Sequence, residues 1–88
     1  MSATLKRYLV LARRMPGFDP AVIGPHHAHL DGLRAQGRLE LAGPFFDKSG
    51  GAYVMRAVDL NEATELAWTD PLHTSGASEI TVFEWNAA

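Results

Sequence analysis

The chain contains no cysteine, which excludes disulfide staples and thiolate zinc sites. It also lacks a surplus of positive charge. Eight lysines and arginines stand against ten aspartates and glutamates, leaving a formal charge of -2, whereas nucleic-acid binding needs a concentrated basic surface. Only Lys6-Arg7 and Arg13-Arg14 cluster cations, and both pairs are short. No apolar run approaches the roughly 20 residues that span a bilayer. The short apolar stretch near the N-terminus leads into basic residues rather than a cleavage-like site. These absences predict a cytoplasmic protein that engages neither nucleic acid nor membrane. Two further patterns are missing: there is no His-Glu-x-x-His motif for a metal, and "DKSGG" (Asp47–Gly51) lacks phosphate-loop spacing and joins two strands.

What is present is ordinary for a globular fold, with 47% hydrophobic and 20% charged residues over 88 positions. That length predicts a single domain, residues 1–88. It buries only about 60–65% of its unfolded surface, so a lone copy is marginally stable.

"LKRYLVLAR" (Leu5–Arg13) is rich in strand formers and stops at the breaker cluster "MPGFDP". "PHHAHLDGLRAQG" then changes to helical spacing, with Pro25 at a first helical position and Gly37 at the stop. "RLELAGPF" alternates, placing Leu39, Leu41 and Gly43 on one side, and a hairpin at "DKSGG" leads into a strand over Ala52–Asp59. "LNEATELAWTD" reads as a helix capped by Asn61, with Leu66 and Trp68 facing the sheet. "LHTSGA" is a turn or helical fragment, and Ser78–Trp85 forms the last strand. The order β-α-β-β-α-β predicts an α+β, ferredoxin-like fold with a four-stranded antiparallel sheet and two helices on one face.

Both sheet faces are apolar in this reading. Leu9 and Leu11 oppose Tyr8 and Val10 along the first strand, and Ile80 and Val82 oppose Phe83 and Trp85 along the last. Two helices cover only one face, so the other calls for a second sheet. The expectation is a homodimer joined through its sheet faces. Phe45 and Phe46 are expected in the core or the seam.

"HAHLDGLRAQGRLELAGP", the Gly-Gly turn, "LNEATELAWTDP" and "DPLHTSG" together resemble the YCII-related family from Tyr8 to Trp85. The resemblance implies a dimeric α+β barrel. It also implies a His–Asp dyad in a pocket, mapped onto His29 of "HL" and Asp70 of "DP", with Pro71 following. In members with known chemistry an arginine and a serine stand near the substrate. Arg13 or Arg14 and Ser49 or Ser75 are the candidates, with Arg14 and Ser75 assigned to substrate binding together with Pro71.

The histidines are weighed against this background. His26 and His29 lie three apart and Asp70 or His73 offers a third ligand, but metal is not expected, because His26 and His27 sit in the first turn beside Pro25 and no metal-binding motif is present. At 100° per residue, Leu30 and Leu33 centre the apolar stripe, and His29 falls about 70° to its side while His26 lies near its centre. Periodicity alone therefore selects His26, and the resemblance selects His29. His27 and Asp31 read as a solvated surface pair.

The function expected is an enzyme for a small oxygenated molecule, such as an aromatic catabolite. His29 serves as general base, Asp70 orients it, and Arg14 receives developing charge in an elimination or isomerisation that requires no cofactor. The alternative is a non-catalytic ligand-binding or accessory module using the same pocket.

Overall fold

A computed structural model describes residues 4–87. The elements are β1 (Lys6–Arg14), α1 (Ile23–Ala35), β2 (Leu39–Pro44), β3 (Gly50–Ala57), α2 (Leu60–Trp68), a short α3 (Pro71–Thr74) and β4 (Ser78–Glu84), with one 3-10 turn at Pro20–Val22. The strands form one antiparallel sheet in the order β2-β3-β1-β4. This is the expected α+β, ferredoxin-like arrangement.

Alternation along the central strands decides which side chains meet the helices. Tyr8 lies opposite Met55, Val10 opposite Tyr53 and Val82, and Ala12 opposite Ile80, so all share one face. Tyr8, Val10, Tyr53 and Met55 are buried there against Leu30 and Leu33 of α1 and Ala63 and Ala67 of α2. Burying each large apolar side chain contributes about 1.5–3 kcal/mol. Ala63 and Ala67 are four apart on one helical stripe, and their small size lets α2 lie close to the sheet.

Two glycines let three strands converge at one end. A Cβ on Gly50 would sit 1.9 Å from the Ala12 carbonyl oxygen, and one on Gly51 would sit 2.7 Å from that of Gly43. The preceding turn is held by Asp47, whose carboxylate accepts from the Ser49 amide at 2.9 Å and hydroxyl at 2.6 Å. This pinched end of the sheet frames the cavity described below.

Several local expectations are corrected. α1 begins at Ile23, so Pro25 occupies its third position, where a missing N–H costs the helix no internal bond. α2 is capped by Asp59 rather than Asn61. The Asp59 carboxylate accepts from the Glu62 amide at 2.8 Å, and Glu62 accepts from the Val58 amide at 3.0 Å, so the helix starts earlier. A register shift between Leu39 and Leu41 separates these two residues. Leu39 pairs with Met55 on the covered face, while Leu41 pairs with Val54 and is 65% exposed on the other. Trp68 does not pack on the sheet. It is half exposed and stacks on His73 at 5.1 Å, because the Ala63–Ala67 stripe already faces inward. Phe45 and Phe46 are exposed at the hairpin, outside the core. Asp31 pairs with Arg34 at 2.8 Å instead of His27.

The face away from the helices carries Leu9, Leu11, Val54, Leu41 and Phe83, placed together by the register. Beside them Arg7 and Arg56 stand opposite one another, and Glu40 bridges both at 2.8 Å. The Arg56 hydrogen bond is the main reason that the Glu40 carboxyl lies below its ordinary range.

Candidate functional site

At the pinched end of the sheet, on its helix side, lies a cavity of about 530 Å³, a size suited to a small organic ligand. Its walls come from Ala12 and Arg14 of β1, the Ala42–Pro44 end of β2, Gly50–Tyr53 of β3 and the α1 face carrying His26 and Leu30. Leu72 and Ser78 close the remaining side.

His26 and Asp70 meet here. The His26 Nδ1 lies 2.9 Å from each carboxylate oxygen of Asp70, which is fully buried. Local sequence explains the position of Asp70. Pro71 disfavours helical backbone in the residue before it, and Asp70 is extended at φ -62, ψ 132, ending the α2 segment. Its carboxylate then accepts from the Leu72 amide at 2.9 Å, which fixes its orientation as the cap of α3. An ionised carboxylate only accepts hydrogen bonds, so next to one Nδ1 is the donor, and in a neutral imidazole the lone pair is then on Nε2. The His26 ring itself borders the cavity.

The expected dyad partner differs. Asp70 bonds His26, not His29. Because α1 starts at Ile23, its phase runs unbroken through Pro25, and His26 stays near the centre of the Leu30–Leu33 stripe, directly below α3. His29, at the rim of that stripe, has its Nε2 buried without a partner among the described residues. Burial is the main cause that lowers its pKa from the ordinary imidazole value, with the Asp70 charge opposing and His26 adding to the fall.

The other assigned residues separate into two groups. Arg14 borders the cavity, with its guanidinium 4.2 Å above the Phe18 ring. Pro71 sits behind Asp70 as the first residue of α3. Ser75 lies at the end of α3, is exposed, and accepts from the Ala77 amide at 3.3 Å; Ser49 belongs to the hairpin turn. The serine that does border the cavity is Ser78, which is buried and stands opposite Arg14 in the sheet. His73 is occupied by Trp68. Among the described residues no three His, Cys, Asp or Glu side chains gather as a metal would require.

Tyr53 is the residue that sequence reading passed over. It borders the cavity, its ring centre is 6.4 Å from that of His26, and its hydroxyl is buried without a partner among the described residues. Burial first, and the Asp70 charge second, hold its proton far more firmly than in a free phenol. The available signal was alternation along β3, which puts Tyr53 and Met55 on the covered face.

Comparison with known proteins bears on the fold and the family. A solved structure of 5-chloro-2-hydroxyhydroquinone dehydrochlorinase (TftG) from Burkholderia phenoliruptrix, in complex with 2,5-dihydroxybenzoquinone, is similar at a TM-score of 0.75 and 22% identity, covering 93% of this chain and 95% of that one. That likeness is one of fold. A protein from Bacillus subtilis, "Uncharacterized protein YjpA", is 46% identical over 78 residues, which is 89% of this chain and 92% of the relative. Residues 7–86 match the YCII-related domain. The chain therefore belongs to the YCII-related domain family.

Proposed function

We propose that this protein is an enzyme acting on a small oxygenated ring compound, and that His26 is its general base. The observation that carries the reading is the contact of His26 Nδ1 with both oxygens of the buried Asp70, in the wall of a ligand-sized cavity. In the reaction Nε2 accepts a proton from the bound molecule, and Asp70 stabilises the imidazolium that forms. Arg14 faces the negative charge that develops on the ligand, and Ser78 takes the role of the neighbouring hydroxyl. Pro71 serves by setting the backbone of Asp70. The reaction class is elimination or isomerisation driven by this proton transfer. The exposed apolar face packs on its equivalent in a second copy, giving a homodimer with two sheets face to face.

The similar fold of a dehydrochlorinase supports the choice of probe. The test is absorbance titration with 2,5-dihydroxybenzoquinone and chloride release from 5-chloro-2-hydroxyhydroquinone, for wild type, His26→Gln and His29→Gln. The expected result is binding and chloride release by wild type, a fall in turnover of about 100-fold or more in His26→Gln, and near-wild-type turnover in His29→Gln. Binding without turnover would make the protein a ligand-binding module. Loss of activity only in His29→Gln would overturn the assignment of His26.

A further inference from the structure

Tyr53 carries an unresolved debt in this fold. It is 2% exposed, and its hydroxyl meets no hydrogen-bond partner among the described residues. A buried hydroxyl without a partner is costly, so such groups are rare and point to a role outside the folded chain's own bonding. The residues beside it on the sheet face, Val10 and Ala42, offer no side-chain acceptor. The ring lies 6.4 Å from that of His26, and both rings border the same cavity.

We propose that Tyr53 donates a hydrogen bond to a carbonyl oxygen of the ligand, so that base and donor together select an enolisable carbonyl compound. This rests on the reading of the cavity given above and deepens it. The two groups divide the chemistry of one step. Nε2 of His26 removes a proton from the carbon next to the carbonyl. The C–H electron pair becomes a C=C bond, and the carbonyl π pair moves onto oxygen. Tyr53 donates to that oxygen and keeps its own proton, because burial and the nearby Asp70 charge disfavour the phenolate. A neutral donor of this kind stabilises the developing enolate without taking part in the proton balance. His26 then returns its proton to another carbon of the conjugated system, which completes an isomerisation with no further reactant.

The test compares wild type, Tyr53→Phe and Tyr8→Phe in the titration with the dihydroxyquinone probe, alongside thermal unfolding of each. Tyr8 is a buried tyrosine of the neighbouring strand whose hydroxyl meets Glu84 at 3.5 Å, away from the cavity. Tyr53→Phe is expected to bind the probe about tenfold more weakly, the loss of one hydrogen bond to a polar oxygen. Its melting temperature is expected to equal or exceed that of wild type, since an unpaired hydroxyl leaves the interior. Tyr8→Phe is expected to keep wild-type affinity. If wild type and His26→Gln behave as the proposed function requires but Tyr53→Phe binds within twofold of wild type, the Tyr53 inference alone falls. A marked loss of melting temperature in Tyr53→Phe would also overturn it, by making the hydroxyl structural. If wild type leaves the probe spectrum unchanged, the cavity reading falls and the Tyr53 inference with it.

Discussion

On the helix-covered side of the sheet, His26 meets Asp70 at 2.9 Å, with the carboxylate fully buried. On the open side, Glu40 meets Arg7 and Arg56 at 2.8 Å, yet both arginine side chains remain more than 40% exposed. Similar distances thus describe contacts of different consequence. Water and salt screen the open network, and exposed pairs of this kind contribute little to stability. The covered carboxylate is cut off from water, so removal of its His26 partner leaves a buried charge poorly satisfied. The apolar surroundings differ in the same way. Tyr8, Val10 and Met55 are fully buried by α1 and α2, whereas Leu41 and Phe83 are exposed.

The largest expected effect lies on the covered side. Asp70→Ala strips the partner from His26 Nδ1 and from the Leu72 amide, and should destabilise the fold by about 2–5 kcal/mol in urea unfolding. A loss below about 0.5 kcal/mol would mean the pair is no more coupled than a surface contact. Next comes the open face. Phe83→Asp places a charge beside Leu9 and Leu11, and should convert the proposed dimer into monomers in sedimentation analysis at micromolar concentration. A mass unchanged from wild type would remove the sheet-to-sheet interface.

A smaller effect concerns pH. The folded-state pKa of His29 is depressed below its unfolded value of 6.5, so the unfolded chain binds the proton more readily. The stability tied to neutral His29 is therefore full above the unfolded pKa and is lost as pH falls through the folded one. His29→Gln should flatten the decline of the urea midpoint between about pH 7 and pH 5 relative to wild type; an identical decline would show that His29 does not contribute. The smallest effect is expected for Glu40→Gln in the Phe83→Asp background, where the network stays in water. Its melting temperature should match that of Phe83→Asp alone at high salt.

Much of the fold was legible because it rests on local chemistry. The apolar strand formers of β1, the Pro and Gly punctuation and the Gly37 stop, observed at φ 72, report directly on backbone preference. Elements that depend on register were not legible. The extra residue at Glu40 turns Leu41 away from Leu39, and nothing in "RLELAGP" distinguishes a bulge from plain alternation. Asp59 and Asn61 are both good caps, and the choice went to the one whose carboxylate could reach the Glu62 amide. Within the site, Asp70 was legible through the proline that follows it. His26 was legible from periodicity alone, since Leu30 and Leu33 point to it, and the motif resemblance drew the assignment three residues along. Ser78 and the Tyr53 hydroxyl depend on what surrounds them after folding, which spacing does not encode.

The measurement that tests the central claim most directly is the tautomer of His26, read from two-bond 15N–1H correlations in wild type and Asp70→Asn at neutral pH. The account predicts that wild-type His26 carries its proton on Nδ1, with Nε2 unprotonated, and that Asp70→Asn shifts this resonance while His29 changes far less. A wild-type His26 protonated on Nε2, or a His29 that responds to Asp70→Asn in its place, would contradict it.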